Sequence, residues 1–124
     1  MKLPVDLRKS LRSFRYAVKG VVDLFRFENN ARIHLLAAAA VLAAGFYFQL
    51  SNTEWALIVT QIALVWAAEA FNTALEKLAD AVSTDYHPLI KAVKDLAAGG
   101  VLIVAISAAV VGSLIFIPKI WLLF

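Results

Sequence analysis

Glu69, Asn72, Glu76 and Asp80 follow one another at steps of three and four residues, so a helix carrying them presents all four on one face. The residues around them are apolar enough for a membrane span. An ionised carboxylate is costly in hydrocarbon, so acidic groups held there generally face a water- or ligand-filled site and serve proton or ion chemistry. A carboxylate shielded from bulk water can act as general base toward a lipid hydroxyl. A second carboxylate nearer water can hold a hard cation. One group for a proton and one for a metal, stacked on one stripe, suits phosphoryl transfer. Glu69 is the candidate base and the group that meets the acceptor hydroxyl. Glu76 is the candidate metal ligand.

Composition fits such a stripe to a membrane. Of the 124 residues, 62% are hydrophobic and 17% charged, and mean hydropathy is +0.79. Soluble domains average about 25% charged residues. The length suffices for three spans of about 20 residues plus a short cytoplasmic part. A net charge of +3 could suggest nucleic acid, but lysine and arginine follow topology rather than a groove-binding surface. The chain contains no cysteine, which excludes disulfides and thiolate chemistry. No cleavable leader is expected, because the first long apolar run starts near Ala31 and is too long for a signal sequence. Without repeats or linkers, residues 1–124 read as a single membrane domain.

Residues 7–26 predict an amphipathic helix lying on the membrane. Leu7, Leu11, Phe14, Val18, Val21 and Phe25 form its apolar stripe. Arg8, Arg12, Arg15, Lys19 and Arg26 form a basic one, suited to anionic headgroups or to simple anchoring. Span one is expected over 31–50, followed by a polar turn at Ser51-Asn52-Thr53-Glu54 that leads into Trp55. Span two covers 55–82, crossing to about Leu75 and emerging as helix to Val82. After the turn formers of 83–87, Pro88 opens span three, 88–118, which Pro118 is expected to end. The fold class is therefore all-α: three transmembrane helices plus an N-terminal surface helix.

Eight of the twelve lysines and arginines fall in residues 1–32, three in 77–94 and one, Lys119, after span three. Eleven thus lie on one side, the cytoplasm by the positive-inside rule. The N-terminus is expected inside and the C-terminus outside. Glu69 then sits somewhat under ~10 Å beneath the cytoplasmic interface, and Glu76 about 10 Å nearer the cytosol. Arg32 and His34 fall at the cytoplasmic start of span one, where such side chains reach the interface. Glu28, where the surface helix meets span one, lies level with Glu76. Two carboxylates with phosphate oxygens and waters suffice for Mg²⁺. His87, Lys91, Lys94 and Asp95 share one side of span three across the same opening, where a lysine can neutralise phosphate charge. Ala97-Ala98-Gly99-Gly100 permits close backbone approach.

Each group also has a plainer reading. Glu69 could be a carboxylate hydrogen-bonded inside a bundle, Glu28 and Glu76 ordinary interfacial charges, Lys94-Asp95 a surface pair, and Tyr86 and His87 interface anchors. There is no G-x-x-x-x-G-K-S/T and no G-x-G-x-x-G, so a nucleotide site would not be of the P-loop, protein-kinase or Rossmann type. No His/Cys cluster suggests zinc. Two non-enzymatic readings use the same residues: an oligomeric channel lined by Glu69 and Asp80, and a membrane adaptor whose basic helix recruits a partner.

Motifs across nearly the whole chain carry a resemblance. They are Tyr16-x-x-Lys19-Gly20, Glu28-Asn29, Glu69-x-x-Asn72-Thr73-Ala74-x-Glu76-x-x-x-Asp80, Asp85-Tyr86-His87-Pro88, and Lys94-Asp95-x-Ala97-Ala98-Gly99. In this order they resemble the small prokaryotic diacylglycerol kinase/undecaprenol kinase family of membrane lipid kinases. The resemblance implies a homotrimer in the bacterial cytoplasmic (inner) membrane with active sites shared between subunits, ATP as co-substrate and Mg²⁺ as cofactor. It implies Glu69 as catalytic base, with Glu28 and Glu76 holding Mg²⁺ beside the nucleotide. Tyr16, Asp85, Tyr86, His87, Lys94 and Asp95 would contact ATP, with Lys9 as a further candidate. Asn72 would orient the base, and Asp80 the nucleotide end of the site. His34 stands where the diacylglycerol kinase branch has an acidic residue, and Asp85 replaces a glutamate of that branch. His87-Pro88-Leu89 and Ile115-Phe116-Ile117-Pro118-Lys119 are similar to the Gram-positive-type undecaprenol kinases. These departures favour undecaprenol over diacylglycerol as acceptor.

Overall fold

A computed structural model describes residues 4–124; Met1, Lys2 and Leu3 of the expected 1–124 domain lie outside the described residues. Four helices follow in order: α1 (Leu7–Phe27), α2 (Asn29–Tyr47), α3 (Asn52–Val82) and α4 (Pro88–Trp121). Three of them, α2, α3 and α4, are long and apolar enough to cross a membrane, with mean hydropathies of 1.3, 1.3 and 2.7.

Local chemistry sets each boundary. Asp6 caps α1 by accepting from the Lys9 amide at 3.1 Å. One extended residue, Glu28 (φ −97°, ψ 119°), both ends α1 and precedes α2. Its carboxylate makes no capping bond. The α2 helix ends at Tyr47, three residues short of the expected limit at Leu50. Gln49 takes a left-handed φ of 52°, and the Leu50 amide folds back onto the Gly45 carbonyl at 3.2 Å while that of Gln49 reaches Phe46 at 3.3 Å. These two bonds are the Schellman pattern, which turns the chain and satisfies carbonyls left open at the helix end. Ser51 then caps α3, its Oγ accepting from the Glu54 amide at 3.2 Å, so the helix starts at Asn52 and absorbs most of the expected turn.

At the other end of α3 the Ser83 amide donates to the Ala79 carbonyl. His87 opens α4, its Nδ1 accepting from the Leu89 amide at 3.1 Å, with Pro88 in the first turn where a missing amide costs nothing. Pro118 does not end α4, contrary to expectation; the helix continues to Trp121. Proline removes a single amide there, and the fixed φ of its ring remains helical, so one last turn persists beyond it.

Helices α3 and α4 share the broadest contact. Asp80–Lys94, Gln61–Ser107 and Glu54–Lys119 pair in reverse order along the two helices, which makes them antiparallel. Near the 48–51 turn, Leu50, Ile58 and Ile115 form a buried cluster joined by Val41, Trp55, Ile62 and Phe116. At the opposite end Leu24, Ala31 and Ala79 are buried, and the Phe25 ring meets Trp66 edge-on at 5.2 Å, tying α1 to α3. Leu102, Ile103, Ile106, Val110 and Leu114 of α4 are exposed, a surface that matches hydrocarbon rather than water.

Candidate active site

The polar stripe of α3 forms as one face, and the structure supplies its partners. Glu69 is only 2% exposed. Its Oε1 lies 3.1 Å from Nε2 of His34 on α2. Asn72, 8% exposed, donates from Nδ2 to Oε1 of Glu76 at 3.1 Å. It therefore holds the candidate metal ligand rather than Glu69, the group the resemblance has it orient. Its Oδ1 is buried and has no protein partner. A turn further on, Asp80 Oδ1 accepts from Lys94 Nζ of α4 at 2.6 Å. Each step along the stripe thus has a bonded neighbour, two of them on other helices.

Glu28 and Glu76 are both half-buried and both stand close enough for their charges to act on Glu69. One helix junction and one turn of α3 thereby bring three carboxylates into one neighbourhood. The Glu28 carboxylate is unused by its helix cap, and Glu76 keeps one oxygen free beyond its bond to Asn72. Among the described residues no group of three His, Cys, Asp or Glu side chains converges as a metal cage. A pair of carboxylates is nevertheless the donor set that suits Mg²⁺, which retains waters and takes the rest of its shell from phosphates. Beside Glu28, though not lined by Glu76, a cavity of about 380 Å³ opens between α1 and α3, with Asp23, Glu28 and Lys77 as its charged walls.

The other expected contacts are spread around the same end. Lys94 is paired with Asp80, while Asp95 pairs with Lys91 one turn earlier on α4. Adjacent residues on a helix point some 100° apart, so the plain Lys94-Asp95 surface pair does not form. His87 has its Nδ1 engaged in the α4 cap. Tyr16 and Tyr86 are exposed, as are Lys9 and Asp85. Among the described residues none binds these four into the polar stripe.

The sequence puts His34 at the interface and gives no sign of its contact with Glu69, apart from the nearly equal depth of the two when counted inward from the turn at 51–54. On its other side His34 borders a narrow cleft of about 110 Å³ between α2, α3 and α4. That cleft is walled by Ala38, Val41, Ile58, Val65 and Gly112, with Gln61 as its other polar residue. Gln61 in turn accepts from Ser107 Oγ at 3.0 Å.

Helices of membrane length that gather shielded carboxylates at one end define a membrane protein built for chemistry at the bilayer edge. Comparison with known proteins identifies the group. A family model described as prokaryotic diacylglycerol kinase matches residues 15–116. An undecaprenol kinase of Bacillus subtilis is 40% identical over 114 residues, spanning 92% of this chain and 93% of that protein. A diacylglycerol kinase of Synechocystis is 41% identical over 109 residues, 87% of this chain and 62% of that protein. A diacylglycerol kinase of Pseudomonas aeruginosa is 31% identical over 90 residues, 73% of each chain. The chain belongs to the prokaryotic diacylglycerol kinase family, as its motifs led one to expect. It is accordingly a phosphotransferase acting on an alcohol, which sets aside the channel and the adaptor.

Proposed function

We propose that this protein transfers the γ-phosphoryl group of ATP to the hydroxyl of a membrane lipid, with undecaprenol preferred over diacylglycerol. The observation that carries the reading is the position of Glu69: nearly sealed from solvent, bonded to His34, and within charge reach of both Glu28 and Glu76. In this reading Glu69 takes the hydroxyl proton as the lipid oxygen attacks the γ-phosphorus. The bond from that phosphorus to the ADP oxygen breaks in line. Glu28 and Glu76 would hold Mg²⁺, which supplies charge neutralisation at the phosphates when bound. Lys94, aligned by Asp80, offers a further positive charge to the nucleotide. Tyr16, Asp85, Tyr86, His87 and Asp95, with Lys9, would complete the ATP site, and Asn72 would steady Glu76. Inward-facing ATP requires the cytoplasmic N-terminus that the lysine and arginine distribution supports.

Helix α1 would lie on the cytoplasmic face of the inner membrane, its exposed Leu7, Leu11 and Phe14 toward the acyl boundary. Three such single-domain subunits would pack as a homotrimer with shared sites, drawing on the apolar surface left open on α4. The preference for undecaprenol rests on the motifs around His87 and Ile115. Relatives named undecaprenol kinase and diacylglycerol kinase match at similar identity and support a lipid kinase of either kind.

The test is Mg²⁺-dependent phosphate transfer from ATP by the purified protein in lipid, with undecaprenol and diacylglycerol compared side by side. Faster turnover of undecaprenol is the expected result. Preference for diacylglycerol overturns the acceptor assignment, and transfer to neither lipid overturns the function.

A further inference from the structure

We propose that His34 is the positioning residue of the Glu69 carboxylate, an assignment that rests on Glu69 being the base. A glutamate's terminal torsion is broad and soft, so its two oxygens exchange places easily unless something holds one of them. The donor that does so here is Nε2 of His34, 3.1 Å from Oε1, across the α2–α3 contact. With Oε1 engaged, Oε2 is the oxygen left to receive the proton of the acceptor alcohol.

Two further features make the contact more than a chance pair. Glu28 and Glu76, the carboxylates in the same neighbourhood, have no donor to offer Glu69 when ionised. Asn72, the neighbour on the same helix face best placed to restrain it, is committed to Glu76. Among the described residues His34 is the side chain whose polar atom meets the Glu69 carboxylate, at 3.1 Å. His34 shares the lining of the apolar cleft with Val65 and Trp66. The His34 side chain is 27% exposed against 3% for Glu69, which makes it the outer member of the pair. The restraint matters because a base displaced by about 1 Å loses on the order of 100-fold in rate.

The experiment compares His34→Leu, which keeps bulk without a donor, and His34→Gln, which keeps an amide donor of similar reach. Each is made in the wild-type and in the Glu69→Gln background, with full-length protein reconstituted in lipid. Expected for His34→Leu is a fall in kcat of about 10- to 100-fold, the loss of one hydrogen bond to a charged group. The KM for ATP and the thermal midpoint stay unaltered. His34→Gln recovers most of the lost rate. In the Glu69→Gln background His34→Leu causes no further fall, because a positioning residue acts through the group it positions. A wild-type kcat for His34→Leu, equal losses for Leu and Gln, or an additive loss in the double variant overturns the assignment. If Glu69→Gln is inactive while His34→Leu is unimpaired, only the role of His34 falls. If Glu69→Gln turns over at the wild-type rate, the base assignment falls and the role of His34 with it.

Discussion

The two ends of α3 are held by different physics. Around Trp55 and Ile58, near the turn at 48–51, large apolar side chains from α2, α3 and α4 interlock, and Gly45 lets the Trp55 ring press against the backbone of α2. From Glu69 to Asp80 the buried positions go to Glu69, Asn72 and the small Ala79, and polar pairs replace rings and branched chains as the link to other helices. The first region carries stability and no reactive group. The second carries the groups proposed to react, and their positions depend on a handful of polar contacts. A helix can therefore be anchored at one end so that its other end tolerates acidic residues that would be a poor basis for packing.

The sharpest way to break this division is Glu69→Gln. Removing the base is expected to lower kcat roughly 10²- to 10⁴-fold while the thermal midpoint in detergent holds, since the amide occupies the same volume. A large loss of stability would show that Glu69 belongs to the packing after all. The converse experiment is Gly45→Ala. A Cβ at Gly45 would stand 2.6 Å from Trp55 Cη2 and 3.1 Å from Leu50 Cδ1, too close for either to stay in place. Overpacking of this kind costs about 1–3 kcal/mol, partly offset by the better helix propensity of alanine. Thermal unfolding should move down while the folded fraction keeps its kcat; a kinetic defect instead would join the two regions.

Lys94→Met tests the polar end without touching the base. The Asp80–Lys94 pair is substantially exposed, so its loss should change stability by no more than about 1 kcal/mol. The KM for ATP should rise, measured by titrating nucleotide at saturating lipid. An unchanged KM removes Lys94 from the nucleotide site. Smallest in its effect on turnover is Lys119→Met, which breaks the half-buried pair with Glu54 at the packed end. It should leave kcat and both KM values as they are and lower stability by about 1–3 kcal/mol, because Glu54 Oε2 is buried with no hydrogen-bond partner to stand in for the lysine.

The sequence shows one dimension of this arrangement well. Periodicity put Glu69, Asn72, Glu76 and Asp80 on one face, because residues along one helix are related by a fixed rotation. Apolar run lengths located the three long helices for the same local reason. Contacts between helices escaped it: His34 with Glu69, Lys94 with Asp80, and Gln61 with Ser107 all depend on how separate helices are rotated and shifted against one another. Nothing in the periodicity of either partner encodes that. Pro118 and Leu50 failed as boundaries for a local reason, since one missing amide is tolerable in a last turn and a left-handed Gln49 closes α2 early.

The single extended residue between α1 and α2 has a mechanical consequence. With no slack on either side, Glu28 is the joint between the first two helices, and its carboxylate rides on that joint. A tilt of α1 about it would carry with it one of the three acidic groups gathered at the Glu69 end of the bundle.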